Sequence, residues 1–278
     1  MNKKRKVFIV ILIILVTVLC IYLGNRTRYN NRIIITQLAG EGNCYIITTS
    51  ENNLIIIDGG TENDSEYLAQ KLKEKSDSKI LAWFLTGAQN SKTGALCKIL
   101  QNEPDIKIEN IYISFNSGEL YDNSDLTPEE LQKLHQNLDI LYSNENIGKL
   151  RETERRVSHK FDNYYVTALE VKNEDDLSLS TLANQTVILK VDNTFKNVIF
   201  LSDIGDEKAH FFLENDQDQF KCDVLQFSKS QLDVYGNEII DKIKPETVFI
   251  SDDTIPSYVK AENIYTKYLN KEVTSEIW

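Results

Sequence analysis

The sequence predicts an α/β body of two packed β-sheets with helices on their outer faces, preceded by a single apolar N-terminal helix. Three observations carry that expectation. Residues 7–23 form one apolar run broken only by Thr17, with Tyr22 near its far end. Beyond it, short β-branched runs alternate with stretches of helical periodicity. The alternation opens on hairpin-like strands and repeats in a second half, as two sheets packed face to face under helices require. Residues 1–24 are therefore read as a membrane anchor, 25–32 as a linker and 33–278 as one folded body.

The anchor comes first. Seventeen residues at ~1.5 Å each span about 25 Å, the short end of what crosses a bilayer. A cleaved signal peptide has an apolar core of ~7–15 residues followed by small residues at the cleavage site. Here Gly24 is followed by Asn25, Arg26, Thr27 and Arg28, and Leu19 before Cys20 does not suit a lipoprotein signal. Lys3, Lys4, Arg5 and Lys6 favour an inside N-terminus, against Arg26, Arg28 and Arg32 on the other flank. The expected localisation is the cell membrane, single-pass, with an extracytoplasmic body.

The 278 residues carry 31 Lys/Arg against 42 Asp/Glu, a net charge of −11. Seven of the basic residues and none of the acids lie in the first 32 positions, which leaves the body 24 against 42, a net of −18. Nucleic acid draws protein affinity from cationic side chains, so DNA and RNA are not expected partners. Cys44, Cys97 and Cys222 show neither paired nor metal-type spacing and read as buried apolar thiols.

Along the body, residues 33–38, 45–49 and 54–57 are short strands divided by Gly40, Gly42 and Asn52-Asn53, and Asp58-Gly59-Gly60 ends the third in a structural turn. Residues 65–75 are helical, with Leu68 and Leu72 on one face. Residues 80–85 are a continuous apolar run, as in a strand covered on both faces. A short helix over 93–100 and a strand over 108–114 follow. Thr127-Pro128-Glu129-Glu130 opens a helix on three agreeing signals: a Thr cap, Pro at the first position and Glu at the third. Residues 144–159 are polar and without period. Strands resume at 164–171, 187–191 and 198–201. A helix near 207–213, a strand at 224–227, a helix near 238–243 and a strand at 247–250 complete the pattern.

Three segments, in this order, resemble the metallo-β-lactamase fold, closest to the hydrolase domain of ComEC-type DNA-uptake proteins. The first is Gly42-Asn43-Cys44-Tyr45 leading to Asp58-Gly59-Gly60, similar to that family's opening hairpin and Asp-Gly turn. The second, Leu85-Thr86-Gly87-Ala88-Gln89-Asn90-Ser91-Lys92-Thr93-Gly94, has the frame in which Thr-His-x-His-x-Asp-His-x-Gly supplies most metal ligands. The third runs through Phe200-Leu201-Ser202-Asp203 to Asp223-Val224-Leu225 and resembles the later hairpin with its metal-bridging aspartate. The resemblance implies a four-layered αββα sandwich over the whole body.

It also implies zinc and hydrolysis, and here the residues depart. At the ligand positions stand Gly87, Gln89, Ser91 and Lys92, and the late histidine is replaced by Lys229 and Ser230; only Asp203 matches. A hydrolytic zinc needs at least three imidazole, thiolate or carboxylate ligands and an open position. Without it there is no Lewis acid and no low-pKa water. The expectation is therefore no metal, no catalytic residue, and a binding or scaffold role toward an unknown protein or small molecule. The alternative is a ComEC-like hydrolase of phosphodiester or other ester bonds with an atypical metal site or none. Asp58 and Asp203 are expected to cap their own turns. Lys92 or Lys229 is expected within salt-bridge reach of Asp203, where an ammonium would replace the lost metal charge.

Overall fold

A computed structural model describes residues 3–30, 32–115, 126–170, 186–215, 220–228, 235–252, 254–261, 263–266 and 272–277; within the first helix, side chains are described for 11–24. The first half comprises α1 (Lys3–Asn30), β1 (Ile33–Gln37), β2 (Tyr45–Thr48), β3 (Leu54–Ile57), α2 (Ser65–Glu74), β4 (Ile80–Phe84), α3 (Asn90–Asn102), β5 (Ile111–Ile113), α4 (Pro128–Leu141) and β6 (Leu150–Glu152). The second comprises β7 (Ser158–Phe161), β8 (Tyr164–Glu170), β9 (Ile188–Asp192), β10 (Asn197–Phe200), α5 (Asp206–Asn215), β11 (Val224–Phe227), α6 (Gly236–Ile243), β12 (Thr247–Ile250), β13 (Asn263–Thr266) and β14 (Val273–Ile277).

The described strands form two seven-stranded sheets, in the orders β14-β1-β2-β3-β4-β5-β6 and β13-β12-β11-β10-β9-β8-β7. The two halves are built alike. Strands β1–β2–β3 are antiparallel neighbours and β3–β4–β5–β6 parallel ones. Likewise β7–β8–β9–β10 are antiparallel and β10–β11–β12–β13 parallel. The last strand, β14, returns to pair antiparallel with β1.

Side-chain alternation along the strands produces the layers. In β3, Ile55 and Ile57 face the second sheet and share a core with Leu189, Phe200 and Val224. Leu54 and Ile56 face the other way, onto Leu68 of α2, Leu96 of α3 and Leu138 of α4. On the far side, Ile199, Leu225 and Val248 pack under Leu213 of α5 and Ile239 of α6. Strands buried on both faces need no polar positions, which is why 54–57 and 80–84 read as unbroken apolar runs. The order is helix, sheet, sheet, helix.

Several boundaries differ from the sequence expectation. Helix α3 begins at Asn90, three residues before the apolar period does, because its first buried side chain is a lysine, Lys92. Strands β6, β7, β13 and β14 have no counterpart in that expectation. The Thr127 cap is as read: its Oγ1 accepts from the Glu130 amide at 3.3 Å, and Glu130 Oε2 accepts from the Thr127 amide at 2.8 Å. Cys44, Cys97 and Cys222 are buried free thiols.

In α1, every side chain over 11–24 is exposed, with Ile13, Leu15, Ile21 and Tyr22 at 58–60%. The Thr17 hydroxyl, in the middle of the run, donates back to the Ile13 carbonyl at 2.9 Å. Residues 11–24 rise only about 21 Å. Among the described residues no helix is long and apolar enough to cross a membrane.

The strand directions give the body two distinct ends. Turns 49–53, 162–163 and 193–196 lie at the end where β1 begins: Thr49 Oγ1 donates to Asp162 at 2.5 Å, and Tyr164 Oη to the Arg32 carbonyl at 3.0 Å. The loops after β3, β4, β10, β11 and β12 lie at the opposite end. There the Val187 amide donates to the Thr86 carbonyl at 2.7 Å and joins the two sheets.

Candidate functional site

Open α/β sheets present their ligand-binding loops at the carboxyl ends of parallel strands. Here those ends gather a buried polar cluster from both halves. Asp58 ends β3 in the left-handed region, φ +56°, and is 1% exposed. Its Oδ1 accepts from the Thr86 amide at 2.8 Å and its Oδ2 from the Thr86 hydroxyl at 2.8 Å. The Ser202 hydroxyl lies 2.9 Å from the Thr86 hydroxyl and 3.4 Å from Asp58 Oδ2. Asp58 therefore pins the loop after β4 and reaches the turn after β10, rather than capping its own turn as the sequence suggested. Its backbone is also tied to β4, since the Asp58 carbonyl accepts from Trp83 Nε1 at 3.1 Å.

Burial pushes the Asp58 carboxyl up to about 6, with the nearby Lys92 ammonium the largest opposing influence. A carboxyl whose folded pKa exceeds its unfolded one binds its proton more tightly when folded. The linked stability is full below about pH 4 and is lost as pH rises through about 6. Wild type is expected to lose on the order of 2–3 kcal/mol relative to Asp58→Asn between those limits. Urea unfolding of both proteins at pH 4, 5, 6 and 7 tests it; parallel pH profiles would remove the assignment.

Lys92 is the central residue. It sits in the first turn of α3 and is fully buried. Its Nζ donates to Thr186 Oγ1 at 3.2 Å and lies 3.6 Å from Asp203 Oδ2. Asp203, 23% exposed, also accepts from Asn43 Nδ2, which lies 3.3 and 3.4 Å from its two carboxylate oxygens. Its described partners are thus side chains from the first half, where a turn cap was expected. Thr186 is shared: its carbonyl accepts from Lys208 Nζ, a second buried ammonium.

Gly87 adjoins Lys92. A Cβ there would fall 2.2 Å from Gln89 Oε1 and 3.2 Å from Lys92 Nζ, so the carboxamide and the ammonium fill the space a side chain at 87 would use. Gln89 Oε1 is buried and accepts no hydrogen bond among the described residues. Ser91 is half-buried, and its carbonyl accepts from the Asn43 amide at 3.0 Å. Gly59 and Gly60 continue the turn after Asp58, with Gly60 at φ +79°. Lys229 and Ser230 lie outside the described residues.

A second polar chain supports the first. Tyr45 Oη is 3.0 Å from Ser251 Oγ, Gln226 Nε2 donates to that oxygen at 2.7 Å, and Gln226 Oε1 accepts from the Ser202 amide at 2.9 Å. Burial raises the Tyr45 phenol far above its ordinary range, so it remains neutral. Beside Gln89 and Ser91, the starts of α3 and α4 enclose a cleft of about 530 Å³ lined by Thr61, Asn90, Thr127 and Lys133.

No family model matches this chain, and no curated protein matches it. Solved structures do. A metallo-β-lactamase fold protein, YhfI from Bacillus subtilis, aligns with TM-score 0.53 at 10% identity, over 87% of this chain and 100% of its own. The chain has the metallo-β-lactamase fold. A mutant of the CmlA β-hydroxylase aligns with TM-score 0.52 at 11% identity, over 88% of this chain, which spans only 54% of the hydroxylase. Identities this low establish the shared metallo-β-lactamase architecture and nothing finer.

The metallo-β-lactamase fold commonly holds metal, and zinc sets a strict requirement on its donors. Three ligands from imidazole, thiolate or carboxylate must converge. Among the described residues no group of three His, Cys, Asp or Glu does so. Next to Asp203 stands an ammonium, which repels a dication and offers no lone pair. The described residues do not fit a zinc centre. Sequence reasoning singles out Lys92 and Asp203; it misses Asn43, Thr186 and Lys208, whose roles come from contacts across the two halves.

Proposed function

We propose that this chain is a membrane-anchored, non-catalytic binding or scaffold module on the metallo-β-lactamase fold. The observation that carries the reading is the fully buried Lys92 ammonium, 3.6 Å from Asp203. In the frame of the fold, Gly87, Gln89, Ser91 and Lys92 occupy the positions that usually bear ligands. The lysine supplies as a fixed internal charge what a bound cation supplies in a metallohydrolase. Internal neutralisation preserves the fold and removes the activated water, which leaves recognition as the use of this end of the body. The cleft beside Gln89 and Ser91 has the size of a small-molecule or side-chain pocket. The acidic body opposes nucleic acid as its occupant.

The test is metal content together with stability. Full-length protein purified without added metal is expected to carry no stoichiometric zinc, manganese or iron, and chelator is expected to leave its melting temperature unchanged, because no metal binding energy supports the native state. Stoichiometric metal that chelator removes with a fall in melting temperature would overturn the reading. It would also restore the hydrolase alternative, in which Asp203 is a ligand.

The anchor reading rests on α1. A helical stretch that is apolar and exposed over 11–24 is unfavourable in water and suited to lipid. With the apolar residues 7–10 of the sequence added, the run reaches 17 positions, and the Thr17 hydroxyl already has its partner within the helix. The four basic residues at 3–6 favour an N-terminus inside and a body outside. Protease added to intact cells is expected to remove the body and leave a small membrane fragment. A fully protected body on cells whose outer face is accessible would reverse the orientation.

A further inference from the structure

We infer that the hairpin tip at Phe195 dips into the interfacial zone of the bilayer beside the anchor and holds the body with its polar cluster facing away from the membrane. The inference rests on the anchor reading. Its geometric basis is the end of the body at which α1 arrives. Asn30 and Ile33 are three positions apart, so the end of α1 lies within about 10 Å of the first strand. That strand starts beside the β9–β10 turn. Tyr164 Oη donates to the Arg32 carbonyl at 3.0 Å, and the Tyr164 side chain is also hydrogen-bonded to that of Asn193. Asn193 Oδ1 in turn accepts from the amides of Phe195 at 3.2 Å and Lys196 at 2.9 Å. One buried tyrosine thus ties the hairpin tip to Arg32, the residue before the first strand.

The tip itself is built to project an aromatic ring. Thr194 takes the left-handed conformation, φ +75°, and Phe195 is 62% exposed, the highest value among the exposed large apolar side chains described. On the adjoining strand Tyr165, paired with Asp192, is 39% exposed, with Lys160 Nζ 5.7 Å from its ring centre. Exposed aromatics interleaved with lysine are the side chains that settle at the headgroup level, where a ring meets acyl chains and an ammonium meets phosphate. A phenylalanine at a hairpin tip gains nothing from water. Placed next to a membrane helix, it gains a second lipid contact that a lone flexible anchor lacks. The loops bearing Asp58, Lys92 and Asp203 lie at the other end of the strands, presented to a partner in the aqueous phase or on a neighbouring protein.

The test uses the full chain in phosphatidylcholine vesicles and in vesicles of the same lipid with brominated acyl chains. Phe195→Trp adds an emitter at the tip, and Ile255→Trp adds one in the loop after β12, where Ile255 is 51% exposed. With wild-type emission subtracted, brominated lipid is expected to reduce the emission added by Phe195→Trp at least twofold and to leave that of Ile255→Trp unchanged. Protein that floats with both vesicle types but shows no quenching at position 195 would overturn this inference while the anchor stands. Quenching at position 255 instead would put the other end of the body on the membrane and overturn it as well. Protein that does not float with vesicles would overturn the anchor reading and this inference with it.

Discussion

Replacing Lys92 by methionine is expected to lower stability by about 3–5 kcal/mol, the usual consequence of removing one partner of a buried ion pair. Methionine keeps most of the stem's volume, so the loss reports charge and hydrogen bonding more than packing. Three groups lose a neighbour: the Thr186 hydroxyl, Asp203 and the fully buried Asp58. Asp203 is partly exposed and can be hydrated, so much of the penalty falls on Asp58. Because Lys92 is the largest influence holding the Asp58 pKa down, the variant should also move the loss of linked stability to higher pH. A body of this size loses roughly 2–4 °C of melting temperature per kcal/mol, so a fall of at least about 6 °C is expected. Asp203→Asn alone should cost less, and the double variant less than the sum of the two. Strict additivity with a Lys92→Met cost under about 1 kcal/mol would show that the pair does not support the fold.

The parts of this architecture that are legible in the sequence are the parts buried on two sides. Strands β3, β4, β10, β11 and β12 are interior to their sheets, and their apolar runs announce them. The four strands that escape notice, β6, β7, β13 and β14, are the four sheet edges. An edge strand pairs on one side only, is short, and carries the charged and polar residues that discourage further pairing, as in Arg151-Glu152 and His159-Lys160. Its pattern is weak for the same physical reason that it is an edge. The candidate site divides similarly. Lys92 and Asp203 are found because both lie in the segments that carry the resemblance, and their side chains come within 3.6 Å of each other. Thr186 and Lys208 are not, since a buried lysine held by a threonine 22 residues away leaves no periodic trace. Asp58 reads as the cap of its own turn, yet its carboxylate serves Thr86, 28 positions on. Short-range rules assign a polar side chain to its neighbours, and here the buried carboxylate is used at long range.

Gly42→Ala is expected to be among the most damaging single-methyl additions in the body. The added Cβ would lie 2.3 Å from the Ser91 carbonyl oxygen, 2.5 Å from the Thr61 amide nitrogen and 2.6 Å from the Gly60 carbonyl carbon. All three are backbone atoms, so no side-chain rotation relieves the overlap. The backbone around them is tied at short range. The Gly42 amide donates to Asp64 Oδ2 at 2.9 Å, the Asn43 amide to the Ser91 carbonyl at 3.0 Å, and the Gly60 amide to the Asn43 carbonyl at 2.8 Å. To admit a methyl group, the loop before β2, the turn after β3 and the start of α3 must separate, and some of these bonds must lengthen. Overpacking of a close-packed site costs about 1–3 kcal/mol and more where the backbone has to move. A loss of at least about 3 kcal/mol is therefore expected. The same displacement would draw Asn43 away from Asp203 and the α3 turn bearing Lys92 away from Thr186, so Gly42→Ala should loosen the polar cluster as well as the fold. Gly148→Ala is the control: nothing lies within 4 Å of its added Cβ, and a change within about 0.5 kcal/mol is expected there. Equal melting temperatures for the two variants would mean that the three segments are not packed backbone to backbone, and the tight junction that positions Lys92 would have to be abandoned.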